Sequence, residues 1–395
     1  MKRIISFLPL LFCFIAFAED KEFANFKNQL LEGINKEKSE FKNYKYQIEK
    51  EFLLYKKIVN EEFLKYKNEI LKHWNNIEIT DRKKFVEYSE DFKIKKVVNF
   101  ETGEIKVEII SNKKPDIKTF GKELFSLAKE TKEEAFNKDT LSQNIEKRLK
   151  QKIKHLKTAK VNSALVVGDF ITGDKNPTNQ KIKESVIYLL KSGKIEKKKA
   201  KDGKFIFSFK AKLPPKRILV KAKYYKPLVE INAHKYNLKP ELILAIIHTE
   251  SSFNPMARSY VPAYGLMQIV PQTAGKDTTR YLYGKPVLLS PSFLYNDKNN
   301  ILIGSTYFYL LYYHYWKEIK DPVSRLYCAI ASYNTGAGNV ARAFTGTTSI
   351  KKAVKIINRM TPSEVYFTLK RKLPYKETRF YLEKVVKRMR IYRHI

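Results

Sequence analysis

The chain is 395 residues long and carries 77 Lys and Arg against 41 Asp and Glu, a formal net charge of +36. A hydrophobic content of 43% supports a sizeable core and excludes a wholly disordered chain, while 14 Gly and 15 Pro exclude a collagen-like or low-complexity one. Only two cysteines, Cys13 and Cys328, are present, which excludes a disulfide framework and a Cys-rich zinc site. Length predicts two domains, or one large one.

Residues 1–18 read MKRIISFLPLLFCFIAFA. Lys2 and Arg3, the apolar run that follows and Ala16-Phe17-Ala18 form the three parts of a secretory signal peptide. The apolar run is shorter than the roughly 20 residues of a spanning helix. Phe12 precedes Cys13 where a lipidation site has a small residue, so a lipid anchor is not expected. Export is. The basic excess runs along the whole chain, and on an exported protein it points to anionic partners: cell wall, lipid head groups or nucleic acid.

Residues 20–80 read as helix, and the pattern E-F-x-x-Y-K recurs there at 40–45, 51–56 and 62–67. A spacing of eleven residues, about 3.67 per turn, keeps Phe41, Phe52 and Phe63 on one face with Tyr44, Tyr55 and Tyr66 one turn along. An amphipathic helix folded on its own domain explains this, as does an extended spacer; the first is the plainer reading. Alternating runs around Thr102-Gly103 predict a hairpin over 95–110. A charged helical stretch follows at about 119–158, then the apolar run Ala164–Gly168, a turn-rich segment at 171–180 and a strand at 204–213 closed by Pro214-Pro215. From about 222 the chain is helical again. The fold class is therefore α+β: an N-terminal α+β domain with a long helix at 19–221, and a mainly α domain at 222–395.

The chemistry lies in the second half. Glu250 ends an apolar helix beside Ser251 and Ser252, where desolvation raises a carboxyl pKa and suits it to giving and retaking a proton. On the residues alone, a glutamate at a helix end is more often a solvated one. His248-Thr249-Glu250 lacks the P-C-x-x-C partner of a zinc deaminase, and no HExxH occurs, so neither a metal nor a cofactor is expected.

Four segments occur in order: ESSFNP at 250–255, YGLMQIVPQTAG at 264–275, SYNTGAG at 332–338 and LPYKETRFY at 373–381. This succession, over roughly 224–395, resembles the lytic murein transglycosylases with a goose-type lysozyme-like catalytic domain. The upstream VNFETGEIKVE hairpin and the Trp74-to-VEYS stretch look like the N-terminal domain of the membrane-bound transglycosylase C subgroup. Ser332 departs from the Ala of many relatives, and the missing lipidation site puts the subgroup's anchoring in doubt.

The resemblance implies a periplasmic enzyme that cleaves the β-1,4 bond between N-acetylmuramic acid and N-acetylglucosamine without water, leaving 1,6-anhydromuramoyl ends. Glu250 is then the single acid and base. The substrate-binding candidates are Ser251, Gly265, Met267, Gln268, Tyr333, Asn334, Glu377 and Tyr381. Gly265 would let backbone approach the sugar, Gln268 offer a polar contact to an acetamido group, and Tyr333 and Asn334 serve the same group. Met267 reads equally as groove or core, as does Tyr381. Glu377 reads as a positioning group or as a surface residue. The aromatics of 307–316 read as core. Peptidoglycan is the expected partner and nucleic acid is not; association with a membrane surface and oligomeric state stay open. Two other classes stand beside this one, a muramidase of the same fold that uses water and a non-enzymatic binder of cell wall.

Overall fold

A computed structural model describes residues 21–201, 203–213 and 217–395, with the side chains of 21–31, 33–42 and 45 left undescribed. The expected signal peptide, Cys13, the Phe41 side chain and Pro214-Pro215 lie outside the described residues. Contacts gather the chain into two compact units, 1–53 and 54–395. Within the first, the described residues are helical, and Ile48 and Phe52 are buried. Their helix, α1 (Lys21–His73), continues into the second unit, where Tyr55, Ile58, Phe63 and Ile70 are buried. Of the repeat positions, Phe52, Tyr55 and Phe63 are buried and Tyr44 and Tyr66 half-buried, the behaviour of a packed amphipathic helix.

The hairpin forms as its alternation predicts, between β2 (Ile94–Asn99) and β3 (Glu104–Ser111), with β1 (Lys84–Tyr88) on its outer side. The charged stretch breaks into three helices, α2 (Ile117–Lys129), α3 (Lys132–Lys138) and α4 (Thr140–Lys152). Thr131 and Glu134 make a reciprocal capping box that starts α3. Then come β4 (Leu156–Lys157), α5 (Gly168–Thr172), α6 (Asn179–Ser192), β5 (Lys194–Lys199) and β6 (Phe205–Lys212). The sheet is antiparallel in the order β1-β2-β3-β6-β5. Phe120 on α2 packs against Phe209 on β6, and the end of α1 adds a second cluster of Ile70, Trp74, Ile110 and Ile206. Sequence reading passed over β1 and β5. Both are edges, and β5 reads KIEKKK, with one apolar side chain in six, as a protected edge does.

Beyond the sheet the chain is helical: α7 (Arg217–Tyr236), α8 (Pro240–Ser251), a π turn at Pro271–Gly275, α9 (Lys276–Tyr283), β7 (Leu288–Leu289), α10 (Pro291–Tyr295) and α11 (Asp297–Leu310). A second π turn at Leu311–Tyr315 precedes α12 (Pro322–Thr335), α13 (Ala337–Thr345), α14 (Ile350–Ile357), α15 (Pro362–Lys372) and α16 (Lys376–Tyr392). Leu242 through Ile247 are all buried, so α8 is apolar all round and forms the centre of this part. Of the aromatics at 307–316, Tyr307, Phe308 and Trp316 are core as read, whereas Tyr309, Tyr312 and Tyr313 are half-buried and Tyr315 is exposed. The Trp316 indole N–H donates to Ser332 Oγ at 2.8 Å, which gives the serine at that position a structural use.

Buried polar contacts tie residues 130–165 to the helical part. Lys132 Nζ lies 2.5 Å from Asp297 Oδ1, and Asn162 donates to Oδ2 of the same carboxylate at 3.0 Å. Glu146 accepts from the Ser292 backbone N–H at the start of α10, and Arg258 pairs with Asp139 at 2.6 Å. The short strands β4 and β7 pair in parallel. No helix among the described residues is long and apolar enough to cross a membrane.

Lys132 is fully buried, so removing it strands Asp297 without its cation. Breaking one partner of a buried pair costs about 3–5 kcal/mol. Lys132→Met is expected to lower the denaturation midpoint accordingly, and the double variant Lys132→Met/Asp297→Leu by less. Equal midpoints for wild type and Lys132→Met in chemical denaturation contradict this reading.

Candidate active site

Glu250 sits in the last turn of α8, 5% exposed, where the apolar helix meets a cleft of about 690 Å³. The chain leaves the helix through two consecutive left-handed residues, Ser252 at φ 50° and Phe253 at φ 62°. Such conformations are costly away from glycine and persist only where the surroundings hold them. Here Asn254 donates to the Asp81 carbonyl at 3.3 Å, and Lys83 Nζ donates to Ser252 Oγ at 3.1 Å.

Burial pushes the Glu250 carboxyl pKa up, against the pull of Arg82, of the Tyr381 hydroxyl and of Lys83. Arg82 Nη2 donates to Glu250 Oε2 at 3.0 Å, Nε to the Glu250 carbonyl at 3.1 Å, and Nη1 to Glu377 Oε1 at 2.6 Å. The buried Tyr381 hydroxyl faces the carboxylate without closing a well-formed hydrogen bond. Lys83 Nζ donates to the carbonyls of His248, at 3.1 Å, and Thr249, at 2.8 Å. Burial brings that amine down to about 7. His248 is not a ligand in waiting: its Nδ1 shares a 2.7 Å hydrogen bond with the Tyr392 hydroxyl, and burial holds its pKa at about 3.

Glu250, Gln268, Tyr333, Asn334 and Glu377 all line the one cleft. Gln268 holds a left-handed φ of 48°, donates to the Gly265 carbonyl at 3.0 Å, and has a buried Oε1 without a partner. Tyr333 spends its hydroxyl proton on the Met267 carbonyl at 2.9 Å, so toward a ligand it has only its ring and its oxygen. Asn334 Oδ1 accepts from Thr378 Oγ1 at 2.7 Å.

Three candidates stand behind the cleft wall. Ser251 is fully buried and turns its hydroxyl back to the Ile247 carbonyl at 3.1 Å. Gly265 has φ +76°, and a Cβ there would come within 2.4 Å of the Leu294 carbonyl, so its glycine serves packing and not access for a sugar. Met267 is fully buried, with its sulfur over Gly304, which settles it as core. Sequence reasoning missed Asn300, which accepts from Met267 N–H and donates to the Tyr264 and Leu294 carbonyls, each at 2.8 Å. It holds the whole 264–267 turn. Arg82 and Lys83 were also missed; the run Asp81-Arg82-Lys83-Lys84 reads as a solvated charge cluster, and 168 residues separate Arg82 from Glu250.

Two family models match the chain: the Transglycosylase SLT domain over residues 227–356, and the N-terminal domain of membrane-bound lytic murein transglycosylase C over residues 35–120. The membrane-bound lytic murein transglycosylase C of Salmonella arizonae is 32% identical over 327 residues, 82% of this chain and 86% of its own. The chain belongs to this family. The enzyme of that name from Serratia proteamaculans is 44% identical over 190 residues, 48% of this chain. In that match and others like it, the chain spans about half the length of the curated relatives, 52% for the Serratia protein. Among solved structures, the 70 kDa soluble lytic transglycosylase of Escherichia coli matches 43% of this chain and 24% of its own at 25% identity, with a TM-score of 0.33. Both family models reach the candidate site, since Arg82 falls in one and Glu250 in the other.

The raised pKa has a consequence for stability. Folding keeps a proton on Glu250 that the unfolded chain, near the ordinary value of 4.5, has released. Its contribution to stability is full below the unfolded pKa and fades as pH rises through the folded one. Glu250→Gln removes that loss, so its melting temperature relative to wild type is expected to climb as pH rises above 4.5. Thermal melts across that window test this, and parallel curves for the two proteins contradict it.

Proposed function

We propose that this member of the family is a peptidoglycan lytic transglycosylase, with residues 222–395 as its catalytic module and Glu250 acting first as acid and then as base. The supporting observation is one buried carboxyl on a cleft whose other lining acid, Glu377, shares the same Arg82 but is 65% exposed, so only Glu250 is desolvated enough to hold a proton. Of the acids between Glu250 and Glu318, Asp297 is buried against Lys132, and Asp277 accepts from the Tyr315 hydroxyl at 3.0 Å. Among the described residues, no second carboxylate stands free across the cleft from Glu250 to activate water or attack the sugar. Hydrolytic glycosidases use two.

One carboxyl suffices when the nucleophile belongs to the substrate. Glu250 gives its proton to the bridging oxygen, the bond from that oxygen to C1 of the muramoyl residue breaks, and the N-acetyl group steadies C1. The glutamate, now anionic, takes the proton of the C6 hydroxyl as that oxygen bonds to C1. The proton count on Glu250 is restored, no water is consumed, and a 1,6-anhydro end remains. The attack is intramolecular, so effective molarity replaces a second catalytic group. Gln268 and Asn334 line the cleft, which supports a role for them in holding the acetamido arm.

The site of action is the cell wall outside the cytoplasm, as the expected signal peptide and the membrane-bound relatives' names support. Residues 351–395 carry 14 basic against 3 acidic side chains, and the motif at 373–381 lies among them. That charge holds the protein to anionic wall and to membrane surface.

Glu250→Gln is expected to lose about 10²–10⁴ of the rate on purified sacculi while folding normally, and Glu377→Gln to lose less. Mass spectrometry of the released muropeptides should show anhydro ends; reducing ends, heavier by one water, would convict the muramidase reading. Sedimentation with sacculi should weaken as the Debye length falls to about 3 Å near 1 M salt, and salt-independent binding would assign retention to sugar recognition alone.

A further inference from the structure

We propose that Arg82, carried to the cleft by the segment before β1, is a positioning residue for Glu250: it fixes the carboxylate's orientation and receives the charge that forms when its proton leaves. The inference rests on the reading of Glu250 as the general acid.

The guanidinium holds Glu250 at two points, its backbone carbonyl at 3.1 Å and its side-chain Oε2 at 3.0 Å. A planar fork that grips both ends of one residue fixes the carboxylate relative to the helix. The fork is itself anchored. Its remaining edge rests on Glu377 Oε1 at 2.6 Å, and the Asp81 carboxylate accepts from the Lys83 and Lys84 backbone N–H groups, each at 2.7 Å. The Phe100 N–H donates to the Lys83 carbonyl at 2.9 Å, which ties the segment to the β2–β3 hairpin. Next door, Lys83 caps the last carbonyls of α8, and Arg388 of α16 donates to Thr249 Oγ1 at 3.0 Å. The end of the catalytic helix is thus held from two sides, by the sheet and by α16.

The charge count follows the reaction. Facing Glu250 are Arg82 and Lys83 from the segment before β1, Glu377 and Tyr381 from α16, and Tyr333 from α12, while Arg388 of α16 turns to the neighbouring Thr249 and neutral His248 to Tyr392. While Glu250 is protonated, Glu377 balances Arg82. Once the proton has gone to the leaving oxygen, the new carboxylate finds a guanidinium already 3.0 Å away, and nothing has to reorganise. Glu377 is 65% exposed, so it tempers Arg82 without neutralising it, and it opposes ionisation of Glu250.

The two partners therefore act on Glu250 with opposite sign, and a merely structural role predicts no such pair. Release of soluble fragments from sacculi at low substrate, followed against pH, reads the proton on Glu250 in the free enzyme through its alkaline limb. Arg82→Met is expected to move that limb to higher pH and to cut the rate about 10²-fold, the usual loss of one donor to a developing anion. Arg82→Lys should recover part of both. Glu377→Gln, an exposed change that leaves folding intact, should move the limb to lower pH. Circular dichroism confirms the fold of each variant. With Glu250→Gln inactive, anything other than opposed movement of the limbs in Arg82→Met and Glu377→Gln overturns the proposal and leaves Glu250 as the acid. A Glu250→Gln protein that keeps the wild-type rate overturns the reading of Glu250 itself.

Discussion

The site depends on a carboxyl group held out of water beside a guanidinium. Burial at the end of α8 favours the neutral form of Glu250, and Arg82 favours the charged one. Neither effect alone suits a group that must give a proton and then take one back. Desolvation without the arginine would leave a poor donor, because the anion it makes would be unsupported. The arginine without burial would leave a carboxylate with no proton to give. On the proposed mechanism, the opposition of the two makes both half-steps accessible to one residue.

That opposition requires two distant stretches of chain to stay in register within ångströms. Locks between buried or half-buried residues supply the rigidity: Lys132 with Asp297, Arg258 with Asp139, and Glu146 with the start of α10. Each joins the region before residue 165 to the helices or loops that shape the cleft. Arg82 and Glu377 also form a wall common to the main cleft and to a neighbouring hollow of about 540 Å³. The N-terminal region is thus part of the site's construction, and the sheet serves to hold its edge segment against α8.

Much of this was legible in the sequence. The alternation around Thr102-Gly103 gave the hairpin, although its strands are covered on both faces, with Lys95 and Lys96 held there by ion pairs to Glu108 and Glu87, and the apolar run before Glu250 gave a buried helix ending in a carboxyl. The ordered segments placed Gln268, Tyr333, Asn334 and Glu377 on one cleft. Ser251, Gly265 and Met267 were harder, since a short motif mixes residues that face the cleft with residues that support the turn behind it. The strain and packing that separate them, a φ of +76° and the approach of Leu294 at Gly265, have no signature in residue type beyond glycine itself. Arg82 was illegible for another reason. A lysine and arginine run before an edge strand looks like solvated charge, and only the tertiary fold brings it to Glu250.

The most direct test is to titrate the Glu250 carboxyl itself in the full chain, by isotope-edited infrared difference spectroscopy of wild type against Glu250→Gln, and again in an Arg82→Met background. The account predicts a protonated carboxyl band that persists above the ordinary glutamate range in wild type and to still higher pH without Arg82. A band that disappears at the same pH with and without the arginine would contradict it.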